Sequence, residues 1–489
     1  MSMEPSWVIT CDPGWSMEEA AAGWSSDDRI SFQTSLPSHS DSVQLQVVEY
    51  AAPATHDICS DPIQVFEEAA EAFHADYLQN MERKMHKFPP SLIDVFLRYC
   101  SPASVAIGPY HHGGHSGVLE AERVKHVAAT QCIRDSGGLV QEMYNAVVSV
   151  SNDARSLYYA EDVAECRDED FFPMMFFDAC FLVQFMRYYV DDNDMDQALM
   201  VYFSANFDRI STDILMLENQ IPWVVVKTIL GFMSAPLLSE RFVAAMRGHL
   251  QNRMNPGVIE DIVVDYSYDP PHLLGLFRLH MMGNYKDDEI LLLPTGVKPM
   301  SLSISVAELA DVGIKVVPRA KTEEGLVEMG FQNTFPFFGR LVVPPLCLTE
   351  AYATWLINMA AFELCETPEF QGDDISADKS AVCSYLHLFT MLLDQEKHVH
   401  ELRENEVIEG GGLTSMETLA FFTSIGKNMR LGKSYLNIII QIQNFKDKRS
   451  CWQKSWLFIK KKRTRIAAVI SVIGVVIGIL SSLPALKPR

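Results

Sequence analysis

The fold is decided by one long apolar stretch, Phe171-Phe-Pro-Met-Met-Phe-Phe-Asp-Ala-Cys-Phe-Leu-Val-Gln-Phe-Met-Arg-Tyr-Tyr-Val190. It is long enough to cross a membrane, but Asp178, Gln184 and Arg187 lie within it, and ionisable groups are costly in lipid. A helix that is apolar on most sides belongs at the centre of a large soluble core. We therefore predict a buried central helix, in which Asp178 needs a partner that the sequence does not identify.

Apolar residues recur at helical spacing on both sides of this stretch. They predict helical or amphipathic segments over 62–81, 120–151, 213–226, 270–278, 305–313, 352–363, 382–394 and 419–429. The texture becomes strand-like over 314–317, 326–331 and 341–343. The predicted fold is mainly α: a large helical domain with a small β-hairpin or sheet element, plus one C-terminal transmembrane helix.

The C-terminal segment predicts the membrane helix. From Ile466 through Val476 to Leu486 the chain carries no charged residue, and a helix of roughly twenty residues reaches about 30 Å, the thickness of the hydrocarbon core. The basic residues directly before it are Lys460, Lys461, Lys462, Arg463 and Arg465. Because cytoplasmic flanks carry the excess of Lys and Arg, we predict a single-pass protein whose body faces the cytosol. The sequence does not distinguish the plasma membrane from an endomembrane.

Charge separates the body from this anchor. The chain has a net charge of −23, and residues 441–489 hold eleven Lys and Arg residues against one Asp, so the remaining chain carries −33. So acidic a body repels phosphate backbones, which argues against a nucleic-acid partner. We predict membrane lipid as a partner of the C-terminal helix and another protein as a partner of the body. The predicted regions are a poorly ordered segment 1–58, a helical domain 59–445, a basic juxtamembrane segment 446–465 and the span 466–486.

Two polar motifs are candidates for chemistry. His111, His112 and His115 follow Gly108-Pro109 and suggest a metal, but adjacent histidines point in different directions and no nearby Cys or Asp supplies another ligand. We favour a turn whose rings pack locally. Glu218-Asn219-Gln220 offers donors and acceptors that can tie loops to helix ends, and a catalytic Glu218 is the alternative.

The usual catalytic motifs are missing from the sequence, which contains no G-x-S-x-G, no H-E-x-x-H and no phosphate-binding loop ending in Gly-Lys-Ser/Thr. Its ten cysteines have irregular spacing and no C-x-x-C pair, which indicates reduced thiols. We therefore predict no catalytic, cofactor-binding or metal-binding residues, and no cofactor. Side chains distant in the sequence can still converge, so a motif search alone does not exclude an enzyme.

Several motifs occur here in the order of a known family. They are the segments 105–113 (Val-Ala-Ile-Gly-Pro-Tyr-His-His-Gly), 215–222 (Leu-Met-Leu-Glu-Asn-Gln-Ile-Pro), 271–274 (Pro-His-Leu-Leu), 307–314 (Ala-Glu-Leu-Ala-Asp-Val-Gly-Ile) and 341–346 (Leu-Val-Val-Pro-Pro-Leu). From about residue 86 to its end, the chain resembles the plant domain-of-unknown-function family 247, also called uncharacterised protein family 0481. The resemblance implies a single-pass plant membrane protein and supplies no catalytic residues. Some members are proposed pollen-side determinants of self-incompatibility in grasses, which implies recognition.

Two functional hypotheses follow. The favoured one is a non-enzymatic, membrane-anchored interaction or recognition/signalling module whose acidic helical body binds other proteins. The alternative is a membrane-bound hydrolase or transferase with an unrecognised active site. An enzyme should show a deep cleft with clustered, charge-perturbed polar groups, whereas a recognition module should present an exposed patch.

Overall fold

The computed structural model describes residues 66–71, 73–74, 84–92, 99–113, 116–138, 140–190, 194–235, 237–250, 269–282, 304–319, 329–334, 338–367, 377–426, 429–461 and 473. The chain divides into two compact units, Met1–Glu67 and Glu68–Arg489. In the first unit only residues 66–67 are described, and they are helical; the predicted poorly ordered segment 1–58 lies outside the described residues. The elements below belong to the second unit.

The second unit is mainly helical, as predicted. Its helices are α1 (Ser116–Asp135), α2 (Val140–Ser156), α3 (Ala160–Val163), α4 (Asp168–Tyr189), α5 (Gln197–Asp213), α6 (Trp223–Leu230), α7 (Leu238–Leu250), α8 (Leu273–Met282), α9 (Val306–Asp311), α10 (Glu350–Glu366), α11 (Ala381–Leu392), α12 (Glu396–Glu404), α13 (Ser415–Ile425) and α14 (Lys433–Lys461). The strands are β1 (Ile314–Pro318), β2 (Gly330–Thr334), β3 (Phe338–Val343), β4 (Leu346–Cys347) and β5 (Ile408–Glu409).

Helix α4 is the buried central helix that its sequence predicts. Its side chains are buried on nearly every side, and it packs against α1, α2, α6 and α7. Phe185 meets Phe203 of α5 with ring centroids 5.3 Å apart, and Tyr189 meets Phe242 of α7 at 5.1 Å, both edge to face. Such aromatic contacts add to the free energy gained by removing this apolar surface from water.

The predicted helix over 120–151 is two helices, α1 and α2. Gly137 and Gly138 separate them at φ values of +86° and +91°, a conformation that interrupts a helix and that glycine adopts without a side-chain clash. The prediction of one helix was therefore wrong, because the apolar periodicity continues on both sides of this break.

The predicted segment over 213–226 was also wrong in part, because residues 214–222 form the turn between α5 and α6. Of the predicted helix over 62–81, residues 66–71 and 73–74 are helical and the rest lies outside the described residues. The other predicted helices lie within a few residues of observed ones, and α13 runs from Ser415 to Ile425, four residues before its predicted bounds.

Helix α10 is a second buried centre. Its side chains from Tyr352 to Leu364 are buried, and it packs against α5, α8 and α11. Thr349 caps its N-terminus, with the hydroxyl accepting from Tyr352 N at 3.1 Å. The two central helices thus organise the body, α4 in its first half and α10 in its second.

The small β element is a three-stranded sheet in the order β1-β3-β2, with a separate β4–β5 pair. β1 is parallel to β3, with Ile314 opposite Gly339, and β2 is antiparallel to β3, with Phe331 opposite Leu341. Of the second predicted strand, over 326–331, residues 326–328 lie outside the described residues; β2 begins at Gly330 and runs three residues past the predicted end, to Thr334. Strand β3 begins three residues before predicted. Phe331, the second residue of β2, packs on Phe445 of α14, so tertiary contacts rather than local apolarity set this strand.

Helix α14 runs across position 445, where the sequence predicts the end of the helical domain. Tyr435, Ile438, Ile439, Ile442 and Phe445 are buried in the core. Farther along, the Arg449 guanidinium donates to the carbonyl oxygen of Val312, beside β1. The first half of this helix is therefore part of the body.

In the described part of the chain, no helix combines the length and the apolar character that crossing a membrane requires. The predicted span from Ile466 through Val476 to Leu486 lies outside the described residues, apart from Ile473, which is helical. The basic residues Lys462, Arg463 and Arg465 also lie outside them, whereas the backbone of Lys460 and Lys461 forms the end of α14. The transmembrane helix stays a prediction from the sequence.

Candidate functional site at the junction of the motif loops

The motif segments of the first half of the body converge at one place. We call this place the motif junction and define it as residues 84–88, 103–113, 213–220 and 271–274. Asp213, the last residue of α5, holds the loop over 103–107 against this helix. Its carboxylate accepts hydrogen bonds from the N–H groups of Ala103 at 3.0 Å, Ser104 at 2.6 Å and Val105 at 3.0 Å. Burial raises the pKa of Asp213, although the three N–H groups favour its ionised form.

Asn219 is a second residue whose side chain hydrogen-bonds to the backbone of the same loop. Its Oδ1 accepts from Ile107 N at 2.6 Å, and its Nδ2 donates to the carbonyls of Val105 at 3.0 Å and Asp213 at 2.9 Å. The side chain is fully buried, and buried polar groups need hydrogen-bond partners. The Asn219 amide meets this requirement, because its nitrogen donates two hydrogen bonds and its oxygen accepts one.

Gln220 connects this turn to helix α8. Its Nε2 donates to the carbonyls of Ile214 at 2.7 Å and Met216 at 2.9 Å, and its Oε1 accepts from Leu274 N at 3.1 Å. The prediction that the polar insertion at 218–220 ties loops to helix ends is confirmed.

The partner of Asp178 is Lys125 of α1, with Nζ 2.6 Å from Oδ1 and both side chains 1% exposed. Lys125 also donates to Ala106 O and to Glu122 Oε1, each at 2.6 Å, while Asp178 accepts from Gly108 N at 2.7 Å. Burial lowers the pKa of Lys125, but the charges of Asp178 and Glu122 outweigh burial and raise it above the usual value. The lysine therefore stays charged inside the core and holds α1, α4 and the loop together.

Gly108 is required where this loop crosses the turn after α5. Its φ is +80°, and a Cβ placed there would lie 2.3 Å from the carbonyl oxygen of Gln220. No other residue type satisfies both constraints. The same Gln220 carbonyl oxygen accepts a buried hydrogen bond from the Tyr158 hydroxyl at 3.0 Å, which stabilises the contact between the loop and the turn.

The histidine turn lies at the rim of the junction. His111 Nε2 is 3.7 Å from Glu218 Oε2, and the other Glu218 oxygen accepts from Phe88 N at 2.7 Å. Burial raises the pKa of Glu218, while the Phe88 N–H and the Lys87 charge lower it. His112 is exposed, and His115 lies outside the described residues. The structure thus brings His111 and Glu218 together, and it does not bring His112 to them.

Within the described ranges, no three His, Cys, Asp or Glu side chains are arranged to hold a metal ion. Two thiols that feel the Glu218 charge, Cys100 and Cys365, are also poor nucleophiles, because burial, together with that charge, raises the pKa of each to about 12.

A pair of neutral histidines closes the inner side of the junction. His86 and His272 are buried, and both rings contact Phe362 of α10, with centroids 6.1 and 4.9 Å away. His272 Nδ1 accepts from Gly275 N at 3.1 Å, which caps the start of α8. Burial lowers the pKa of His86 to about 4 and that of His272 to about 3. Sequence analysis missed this pair, since the two residues are far apart in the chain.

A second buried polar group joins three helices. Arg278 of α8 donates to Glu363 Oε1 of α10 through Nε at 2.9 Å and Nη2 at 2.7 Å. The Glu363 carboxylate also accepts from Val382 N at 2.9 Å and Cys383 N at 2.8 Å, where α11 begins. Of the three Glu residues of α10, only Glu363 lies among its buried side chains.

These contacts determine what the motif residues do chemically. The polar side-chain atoms of three residues, Asp213, Asn219 and Gln220, form hydrogen bonds with backbone groups. These residues therefore fix the geometry of the loops. The rim combines polar groups with access to solvent: the pair His111–Glu218, the ion pair of Lys87 and Asp162 at 2.5 Å, and that of Lys84 and Glu366 at 3.3 Å. The junction is thus a rigid buried frame with a small polar rim.

Comparison with known proteins bears on the same segments. A family model described as DUF247, plant protein of unknown function, matches residues 85–481. The UPF0481 protein At3g47200 of Arabidopsis thaliana is 22% identical over 434 residues, which cover 81% of this chain and 86% of that protein. No solved structure matches. Because the family model covers most of the chain and includes the motif junction from residue 85 onward, the chain belongs to the DUF247 family of plant proteins.

Proposed function

We propose that this protein is a membrane-anchored interaction module, in which a rigid acidic body recognises another protein. The observation that carries the proposal is the use of the motif polar groups. Asp213 and Asn219 bind backbone groups of the loop over 103–107, so the motifs build a frame. If the motif residues serve only to hold the frame, the partner must be recognised by the outer surface of the body. A rigid frame preorganises that surface and so lowers the entropic cost of binding.

The anchor in this proposal is the segment 466–486, a single-pass helix preceded by basic residues. Its support is the sequence: an uncharged run of bilayer length and a basic flank that favours the cytosolic side. We expect the full chain to float with liposomes, and a chain ending at Arg465 not to. An N-terminal tag should be digested by protease on sealed membranes without detergent. A protected tag would contradict the cytosolic orientation and favour extracellular recognition.

Photo-crosslinking tests the interaction role. A photoreactive amino acid is placed at the exposed positions Val201 and Met416 of the full chain in plant membranes, and at the buried Phe185 as the control. We expect discrete protein adducts from at least one exposed position and none from the buried one. If a folded, membrane-bound chain gives no adduct from a wider set of exposed positions, the interaction proposal fails.

One observation favours the alternative, a hydrolase or transferase. The half-buried Glu218 with a raised pKa beside His111 is the kind of pair that transfers protons. The test is turnover of a panel of ester, glycoside and acyl-donor substrates by the full chain. Activity that is lost in Glu218→Gln, with unchanged circular dichroism, would establish the alternative and displace the interaction role as the primary function.

A further inference from the structure

The central strand of the three-stranded sheet, β3, shows which backbone groups of its neighbours are used within the sheet. Gly339 N donates to the carbonyl oxygen of Gly313 at 3.0 Å. At the other end of the strand, the carbonyl oxygen of Val343 accepts from Arg319 N at 2.8 Å. Because the N–H and C=O groups of successive residues point to opposite sides of a strand, the odd-numbered residues of β3 face β1 and the even-numbered ones face β2.

Strand β2 therefore has backbone groups that point away from the sheet. The even-numbered residues of β3 pair with Gly330, Gln332 and Thr334, so these three residues direct their backbone groups toward β3. The N–H and C=O groups of Phe331 and Asn333 point the other way. In the described part of the chain, these four outward groups have no hydrogen-bond partner.

The two edges of the sheet differ in access. At the β1 edge, Ile314 and Val316 are each only 2% exposed, because the body covers them. At the β2 edge, Gln332 and Asn333 are exposed. Proteins often protect an exposed edge strand with a charged side chain or a proline, and β2 (Gly330–Thr334) contains neither. The β2 edge is thus open to another strand.

We infer that β2 pairs in antiparallel fashion with β2 of a second copy of this chain, which joins two three-stranded sheets into one sheet of six strands. Gln332, the middle residue of the strand, lies on the two-fold axis. Phe331 of each copy is then opposite Asn333 of the other, and their four outward N–H groups and four outward C=O groups form four hydrogen bonds. This self-association is independent of the proposed recognition of another protein.

The position of α14 favours a second copy as the occupant. A two-fold axis that relates antiparallel neighbours in one sheet is perpendicular to that sheet, so both copies turn the same face to the same side. Phe331 packs on Phe445 of α14, with ring centroids 5.5 Å apart. Both copies of α14 therefore lie on one side of the joined sheet. Since α14 leads toward the proposed anchor at 466–486, the two anchors can enter one membrane, where confinement raises the effective concentration of the edges.

The seam between the two copies brings no like charges together. Within the sheet, the charged residue paired with β2 is Arg340, opposite Gln332. In the joined sheet the two copies of Arg340 are three strand spacings apart, about 14 Å. That separation exceeds the Debye length of about 8 Å at physiological salt, so their repulsion is largely screened.

Disulfide crosslinking of the full chain in phospholipid vesicles, at low protein density, tests the pairing. Residues opposite each other at a non-hydrogen-bonded position have Cα atoms about 4.5 Å apart, within disulfide range, so Gln332→Cys should crosslink to its copy. The matched control is Gly330→Cys on the same face of β2, where an added Cβ meets no heavy atom within 4 Å. Its two copies would be about 14 Å apart, too far for a disulfide.

On mild oxidation, we expect at least about tenfold more disulfide-linked dimer from Gln332→Cys than from Gly330→Cys. The unmodified chain measures the background from its native cysteines. Equal yields from the two variants would overturn the inference, and so would a monomeric Gln332→Cys chain, which would leave this edge to a strand of a different protein.

A second pair of variants, made in the Gln332→Cys chain, separates pairing from folding. Asn333→Pro removes one outward N–H group and leaves the hydrogen bonds between β2 and β3 in place, whereas Asn333→Ala keeps that N–H group. The yield of dimer should fall several-fold with proline and stay unchanged with alanine. Circular dichroism verifies the fold of each variant. Equal yields from folded proline and alanine variants would show that the outward backbone groups of β2 do not hold two copies together.

Discussion

At the motif junction, the single carboxylate of Asp213 receives three backbone N–H groups. Asp213→Asn keeps the shape but replaces one acceptor oxygen with an amide donor that faces N–H groups. We expect a loss of about 2–4 kcal/mol in the free energy of unfolding, measured by urea titration with tryptophan fluorescence. Asp208→Asn, an exposed change on the same helix, should alter it by less than about 0.5 kcal/mol. Equal effects would show that the three hydrogen bonds matter little.

Gly108 permits a comparison with Gly113, which has a similar φ of +72° but no heavy atom within 4 Å of an added Cβ. Gly113→Ala should cost only the backbone strain, about 1 kcal/mol, whereas Gly108→Ala adds the clash with Gln220 and should cost at least about 2 kcal/mol more. Thermal unfolding of both variants gives the difference. Similar melting temperatures would contradict the close crossing at Gly108.

Among the elements, α8, α10 and α11 are joined by the Arg278–Glu363 group. Glu363→Gln removes the charge that balances a buried guanidinium, and we expect a loss of about 3 kcal/mol in the free energy of unfolding. The control is Glu169→Gln, which breaks an exposed pair with Arg167 and should change stability by less than about 0.5 kcal/mol. If both variants unfold alike, the buried group does not hold these helices together.

Across the whole molecule, buried neutral histidines make stability depend on pH. His387 packs on Tyr435 between α11 and α14, and burial lowers its pKa from 6.5 to about 4. Below pH 6.5 this histidine becomes protonated in the unfolded chain, whereas in the folded chain it stays neutral until about pH 4. The free energy of unfolding therefore falls as pH decreases from 6.5 to about 4. His86 and His272 act in the same direction, whereas Asp178, Asp213 and Glu363, with raised pKa values, act in the opposite one.

A substitution isolates the contribution of one histidine. When the pH is lowered from 7.5 to 5.5, the free energy of unfolding of His387→Phe should fall by about 1 kcal/mol less than that of the unmodified chain. The variant keeps an aromatic ring but has no imidazole that becomes protonated on unfolding. His112→Gln, at an exposed position, should follow the unmodified chain. Urea titration at both pH values measures this, and parallel losses in all three proteins would refute a role for His387.

At this scale, sequence reasoning was strongest where a local pattern carries the information. The apolar run at 171–190 predicted α4 as a core helix, and the donors and acceptors of Asn219 and Gln220 predicted their tying role. Lys125 was not identifiable as the partner of Asp178, because the fold alone brings α1 beside α4. For the same reason the His86–His272 pair was missed. Strand β2 runs past its predicted end because its contacts with β3 and α14, not its own composition, define it.

The course of α14 decides how the body can be shortened for work without a membrane. A version ending at residue 445 would place Ile442 and Phe445 on the last, unsupported turn of their helix and would delete the Arg449 bond to Val312. A version ending at Lys461 would retain every turn that this helix contributes to the body and still stop short of the apolar segment. The shorter product should therefore fray and aggregate through its exposed core residues, and the longer one should be the better subject for solution studies.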